Sequence, residues 1–173
     1  MLERLGAEVV WLKKPADLAG VSGVVLPGGE STTQLKFLQE EELEEVLREF
    51  ARAGGAIFGT CAGAILLGRE VRHPPQASLG LLDVVVARNA YGRQVQSRVA
   101  AAASKLKEEP LEAVFIRAPV IEETGAGVEV LAEYEGKPVL VRQGRALAAT
   151  FHPELTSDTT VHEEFLRLAR NGS

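Results

Sequence analysis

Short apolar runs alternate with helical periodicities along this chain. Gly23-Val24-Val25-Leu26, Ala56-Ile57-Phe58, Val84-Val85-Val86 and Val114-Phe115-Ile116 are brief, uncharged and rich in valine, the pattern of strands covered on both faces. Residues 8–12 and 95–99 read as further strands. Between residues 40 and 52, Leu43, Val46, Leu47 and Phe50 fall on one helical face, and Glu40, Glu41 and Glu42 stand at its start, where negative charge suits the helix dipole. Ala64-Ile65-Leu66-Leu67 predicts a buried helix directly after the second strand. Residues 128–134, 138–142 and 146–151 predict an antiparallel run with turns at Glu135-Gly136 and Gln143-Gly144. Residues 159–170 close the chain as an amphipathic helix through Val161, Phe165, Leu166 and Leu168. The alternation predicts an α/β fold of three layers, a mostly parallel sheet flanked by helices, as one domain over residues 1–173. The front is odd. The chain starts inside what reads as a helix, yet Leu2, Leu5 and Ala7 are too few to close an apolar face. The expectation is an unusual beginning, or an opening strand that lies upstream.

Composition narrows the classes. With 46% hydrophobic residues the chain is rich enough to build a sizeable core. The single cysteine excludes an internal disulfide. A net charge of −5 offers no electrostatic footprint for nucleic acid, and no apolar stretch approaches a membrane span or a signal peptide. The three histidines are scattered, and His162-Glu163-Glu164-Phe165 lacks the second histidine of a zinc-protease helix, so no metal site is expected. These properties fit a cytoplasmic enzyme.

Two segments carry chemistry. Gly59-Thr60-Cys61-Ala62-Gly63 lies between the second strand and its helix, with small residues on both sides of the cysteine. That is the thiol form of a nucleophile elbow, where a sharp turn lifts the sulfur out of the sheet. A lone cysteine is equally at home as an inert core residue. The second segment, Phe151-His152-Pro153-Glu154, follows an apolar strand. In an extended chain His152 and Glu154 point the same way, with Pro153 stiffening the backbone between them. A neighbouring imidazole lowers a thiol pKa from its free value of about 8.5, and a carboxylate on the far ring nitrogen fixes the tautomer. Elbow and His-x-Glu together favour a Cys61–His152–Glu154 triad over coincidence.

Pro27-Gly28-Gly29-Glu30-Ser31 leaves a strand and enters a helix near Thr32 or Thr33. Its glycines let backbone N–H donors approach a reacting oxygen, while Ser31 is also a candidate helix cap. Without a following Gly-Lys-Ser/Thr the segment is not a nucleotide loop. Arg88-Asn89 and Ile116-Arg117 place arginines at strand ends, where they suit a carboxylate or simply face solvent.

Five segments resemble one family: residues 27–33, Phe58-Gly59-Thr60-Cys61-Ala62-Gly63, Arg88-Asn89-Ala90-Tyr91-Gly92-Arg93-Gln94, Phe115-Ile116-Arg117-Ala118-Pro119 and Phe151-His152-Pro153-Glu154-Leu155. Together and in this order they resemble the glutaminase subunits of pyridoxal 5′-phosphate synthase, within the class I (triad) glutamine amidotransferases. The resemblance implies Cys61 as nucleophile, His152 as acid–base and Glu154 as its orienting carboxylate. It implies glutamine binding by Gly29, Glu30, Ser31, Arg88, Ile116 and Arg117, with the N–H groups of Gly29 and Ala62 as oxyanion donors. It also implies L-glutamine as substrate, no cofactor, and a barrel-shaped synthase subunit as partner in a large hetero-oligomer, the glutaminase being poorly active until that partner docks. The family's opening strand, its Leu-Gln-Gly turn and first half-helix have no counterpart here. The expectation is therefore a chain truncated at its N-terminus relative to the family, with little glutaminase activity. Other readings are a triad amidotransferase serving another synthase, an elbow-cysteine protein of the DJ-1 type, and a non-catalytic interaction subunit.

Overall fold

The computed structural model describes residues 1–88 and 97–170. Three strands pair in parallel: β1 (Gly23–Leu26), β2 (Ala56–Thr60) and β10 (Ala146–Ala149), with β2 between the other two. From β10 the sheet continues by antiparallel pairing through β9 (Lys137–Gln143), β8 (Glu129–Tyr134), β5 (Arg98–Ser104) and β6 (Leu111–Phe115), seven strands in all. A three-stranded sheet holds β3 (Gly68–Arg72), β4 (Leu82–Ala87) and β7 (Val120–Thr124). The α-helices among the described residues are α1 (Ser31–Glu40), α2 (Leu43–Arg52), α3 (Ala62–Leu67) and α4 (Thr160–Arg170).

At the centre of the main sheet β2 and β10 are buried on both faces, which is why they read as unbroken apolar runs, whereas β5, β6 and β8 mix buried and exposed positions. Ile57 and Ala148 point into a core shared with Leu35, Leu43, Leu47 and Leu66, from α1, α2 and α3. Their neighbours Phe58 and Leu147 point the other way, onto Phe165 and Leu168 of α4. The alternation along each strand thus yields three layers. Leu43 and Leu47, one turn apart on α2, are 0% exposed, and burial on that scale contributes about 1.5–3 kcal/mol for each side chain. Arg48 of α2 crosses to the segment before β4, donating from Nε to Leu79 O at 3.1 Å and from Nη2 to Ser78 O at 3.2 Å.

Several sequence expectations meet a different outcome. Residues 8–12 form no strand: Val9, Val10 and Trp11 are exposed, and the segment has no ladder partner among the described residues. A β-rich sequence without a neighbour to pair with gains nothing from extension. The opening residues form only a short 3₁₀ turn, Glu3–Leu5, with no buried residue. Strand β3 follows α3 without a loop, in a sequence with three charged positions. Residues 89–96, including the Asn89-to-Gln94 part of one motif and the start of the strand expected at 95–99, lie outside the described residues. Among the described residues no helix is long and apolar enough to cross a membrane.

Candidate active site

Because β1, β2 and β10 run in parallel, the chain leaves all three at the same edge of the sheet, where ligands of such sheets bind. The glycine loop follows β1, Cys61 follows β2, and His152 follows β10 by three residues.

Cys61 sits between β2 and α3 at φ 48° and ψ −101°, a conformation that costs a non-glycine residue on the order of 1–3 kcal/mol. Its neighbours hold it there. A Cβ on Gly63 would fall 1.9 Å from Leu26 O, and one on Gly59 would fall 2.5 Å from the carbonyl of Gly63. The Cys61 N–H donates to Ala149 O at 2.8 Å, tying the elbow to the strand that leads to His152. The thiol, almost fully buried, lies 3.8 Å from the carbonyl of Ile116.

His152 is anchored by its own N–H, which donates to Val114 O at 2.8 Å. Its imidazole lies over Gly28, where a Cβ would come within 2.3 Å of Cε1. Nδ1 meets Glu154 Oε1 at 2.7 Å. The pair does not form by extension, as the sequence suggested. Pro153 opens a 3₁₀ turn, Pro153–Leu155, whose curl brings Glu154 back to the ring. Hydrogen bonding to Cys61 first, and to Glu154 second, raises the His152 pKa to about 9 against the opposing effect of burial. Burial is the largest single influence on the Glu154 carboxyl and pushes it up, but the hydrogen bond with His152, a backbone hydrogen bond and the nearby histidine charges together outweigh it, and the carboxyl titrates below its ordinary range. The ring therefore carries its proton at neutral pH between a sulfur and a carboxylate.

The residues expected to hold a substrate are brought to this edge, several of them engaged with one another. Glu30 caps α1, accepting from Thr33 N at 2.8 Å, from Thr33 Oγ1 at 3.0 Å and from the Thr32 hydroxyl. The Thr32 hydroxyl and the Thr33 N–H lower its pKa to about 2. Arg88 Nη2 reaches it at 3.2 Å across the site mouth. Ser31 is not the cap; it is the first helical residue, buried, and its hydroxyl donates to Gln76 Oε1 at 2.8 Å. Ile116 and Arg117 follow β6, with Arg117 at φ 45°, so the backbone there is bent to face the Ile116 carbonyl toward the sulfur. Gly29 takes φ 147°, and Ala62 begins α3 beside Cys61. Among the described residues no group of three or more His, Cys, Asp or Glu side chains is placed to hold a metal.

Two further residues touch this region without a sequence signal. Gln76 laces the glycine loop to the segment between β3 and β4, also donating from Nε2 to Ser31 O at 3.4 Å. His162 of α4 is buried edge-on to Phe58 at 6.0 Å, and burial lowers its pKa. Neither residue lies in a recognisable motif.

The sequence profile described as the SNO glutamine amidotransferase family matches residues 1–171. The chain is 56% identical over 173 residues to the pyridoxal 5′-phosphate synthase subunit PdxT of Koribacter versatilis, covering 100% of this chain and 89% of that protein. A crystal structure of a glutamine amidotransferase superposes with a TM-score of 0.91 at 47% identity, covering 98% of this chain and 90% of that one. A glutamine amidotransferase from Thermotoga maritima shares the fold, with a TM-score of 0.57 at 16% identity over 96% of this chain and 68% of its own.

Proposed function

The chain belongs to the SNO glutamine amidotransferase family, and from that premise we propose that it hydrolyses L-glutamine and supplies the ammonia to a pyridoxal 5′-phosphate synthase. The observation that carries this reading is the placement of His152 between Cys61 and Glu154 at the mouth of a strained elbow. Sulfur attacks the side-chain amide carbon of glutamine, and the carbonyl oxygen takes the developing negative charge. The N–H groups of Gly29 and Ala62 receive that charge; one such donor is typically worth about 3–4 kcal/mol in the transition state. As the C–N bond breaks, His152 gives its proton to the departing ammonia. Water, deprotonated by His152, then attacks the thioester carbon, and the C–S bond breaks to release glutamate and restore the Cys61 thiolate beside the protonated ring. Glu154 keeps the ring in register throughout.

Glu30 and Arg88 offer one anion and one cation to the amino-acid end of glutamine, and Ile116, Arg117, Gly29 and Ser31 complete the pocket. The partner is the synthase subunit, the compartment the cytoplasm, and pyridoxal phosphate a product of the complex rather than a cofactor of this chain. The supporting facts are the family, the 56% identical relative and the geometry at the sheet edge.

Labelling tests the reading. A chloroketone analogue of glutamine is expected to alkylate Cys61, glutamine to block it, and His152→Ala to slow it strongly. Glutamate release would be measured alongside, with and without the synthase. Alkylation that glutamine does not slow would sink the substrate assignment.

A further inference from the structure

The glycine loop is held by a side chain that the triad does not use. Gln34, in the first turn of α1, donates both hydrogens of its amide: Nε2 lies 2.9 Å from Pro27 O and 3.3 Å from Gly28 O. Its Oε1 is buried with no hydrogen-bond partner among the described residues. Turning the amide over would set Oε1 against two carbonyl oxygens, so the loop dictates its orientation even at the cost of an orphaned acceptor. The fit is close: a Cβ on Gly29 would stand 3.1 Å from Nε2, and Gly29 holds φ 147°.

The direction of the loop peptide follows. Gln34 lines the cavity along the outer edge of β1 with Leu26, Pro27 and Phe37, and that lining does not include Cys61, His152 or Glu154. A trans peptide carries its C=O and its N–H on opposite sides. With Gly28 C=O turned to Gln34, the Gly29 N–H faces away from that cavity. On that other side lie the β2 end and the His152 ring, which abuts Gly28.

We propose that Gln34 is a positioning residue for glutamine hydrolysis: its amide holds the carbonyls of Pro27 and Gly28 and thereby aims the Gly29 N–H at the oxyanion. The proposal rests on the glutaminase reading above and adds the device that orients one donor.

The test compares two reagents on the same thiol. The glutamine chloroketone reacts through a carbonyl whose oxygen gathers charge, whereas iodoacetamide alkylates sulfur by direct displacement and forms no oxyanion. Gln34→Met removes both donors at similar length, and Gln34→Glu puts a carboxylate against the carbonyls. The chloroketone rate at Cys61 is expected to fall at least about 10-fold in Gln34→Met and further in Gln34→Glu. The iodoacetamide rate should stay within about 2-fold of wild type, because the thiol itself is unaltered. Equal slowing with both reagents, or a chloroketone rate that is unchanged or faster, overturns the proposal. Should Gln34→Met fold poorly, Gln34→Glu gives the same comparison. Wild-type labelling that glutamine does not slow is a distinct result: it removes the glutaminase reading, and the proposal with it.

Discussion

Replacing Cys61 with serine is expected to lower the titration midpoint of His152 more than replacing Glu154 with glutamine. In the folded chain His152 titrates at about 9 rather than 6.5, with Cys61 the larger support and Glu154 the second. A rise of that size corresponds to about 3 kcal/mol of preference for the imidazolium over the neutral ring. The side chain is only 12% exposed, so solvent screens little of it. The assay is an NMR titration of the ring signals of the three histidines, with His152→Ala supplying the assignment. The expected order of His152 midpoints is wild type, then Glu154→Gln, then Cys61→Ser, the last returning toward an ordinary imidazole. A wild-type midpoint near 6.5, or a lower midpoint in Glu154→Gln than in Cys61→Ser, would refute the reasoning. Stability follows with a definite sign. Because the folded pKa lies above the unfolded one, the contribution is fully present below pH 6.5 and is lost as pH rises through about 9. Urea midpoints should therefore fall between pH 7 and 10 in the wild type, and fall less steeply in Cys61→Ser.

Three further substitutions separate the site from its scaffold. Gly63→Ala drives a Cβ to 1.9 Å from the backbone oxygen of Leu26, so it should cost about 3 kcal/mol and lower Tm by roughly 6–12 °C in a thermal melt. Gly28→Ala meets instead a side chain, the His152 ring, so Tm should change by no more than about 3 °C while glutamine-analogue labelling of Cys61 drops about 100-fold. Glu30→Ala removes the cap of α1 and the partner of Arg88; a Tm loss of about 2–4 °C is expected from the cap alone, and none at all would count against its role.

What was legible in the sequence tracks what local pattern encodes. Strand β2 and the Val84-Val85-Val86 stretch of β4 were visible because burial on both faces leaves no room for charge, β1 because its half-buried edge position still favours valine, and α2 because Leu43 and Leu47 recur at the helical period. Strand β3 was hidden by its charges, which find partners in the folded sheet: Arg69 with Asp83 of β4 and Glu123 of β7, and Arg72 with Glu123 across the sheet and with Glu70 on β3 itself. Residues 8–12 misled for the opposite reason, being β-rich but unpaired. At the candidate site, the convergence of Cys61 and His152 was readable because Cys61 directly follows β2 and His152 follows β10 by three residues. The turn that closes His152 on Glu154 was not, since a proline fits both an extended chain and the start of a 3₁₀ turn. Gln34 and Gln76 act through amides that no spacing announces, and Ser31 looked like a cap until Gln76 and Glu30 divided the work.

The remaining link is register. Leu26 pairs with Gly59, and Ala149 pairs with Thr60, so the loop after β1, the elbow after β2 and the lead into His152 leave the sheet at one level. A slip of one residue between β1 and β2 would shift the glycine loop by about 3.3 Å and turn β1 inside out. Resistance to that slip comes from Gly63, which is pressed against Leu26 of β1, a contact that exists only in this alignment, while the packing of Gly59 against Gly63 fixes the shape of the elbow that carries it. The small residues that allow the sharp turn at Cys61 therefore also set the alignment that brings Gly28 beneath His152. On this account the elbow is a register lock as well as a mount for the sulfur. Substituting Gly59 or Gly63 should accordingly disturb the glycine loop even when the thiol itself still reacts with iodoacetamide.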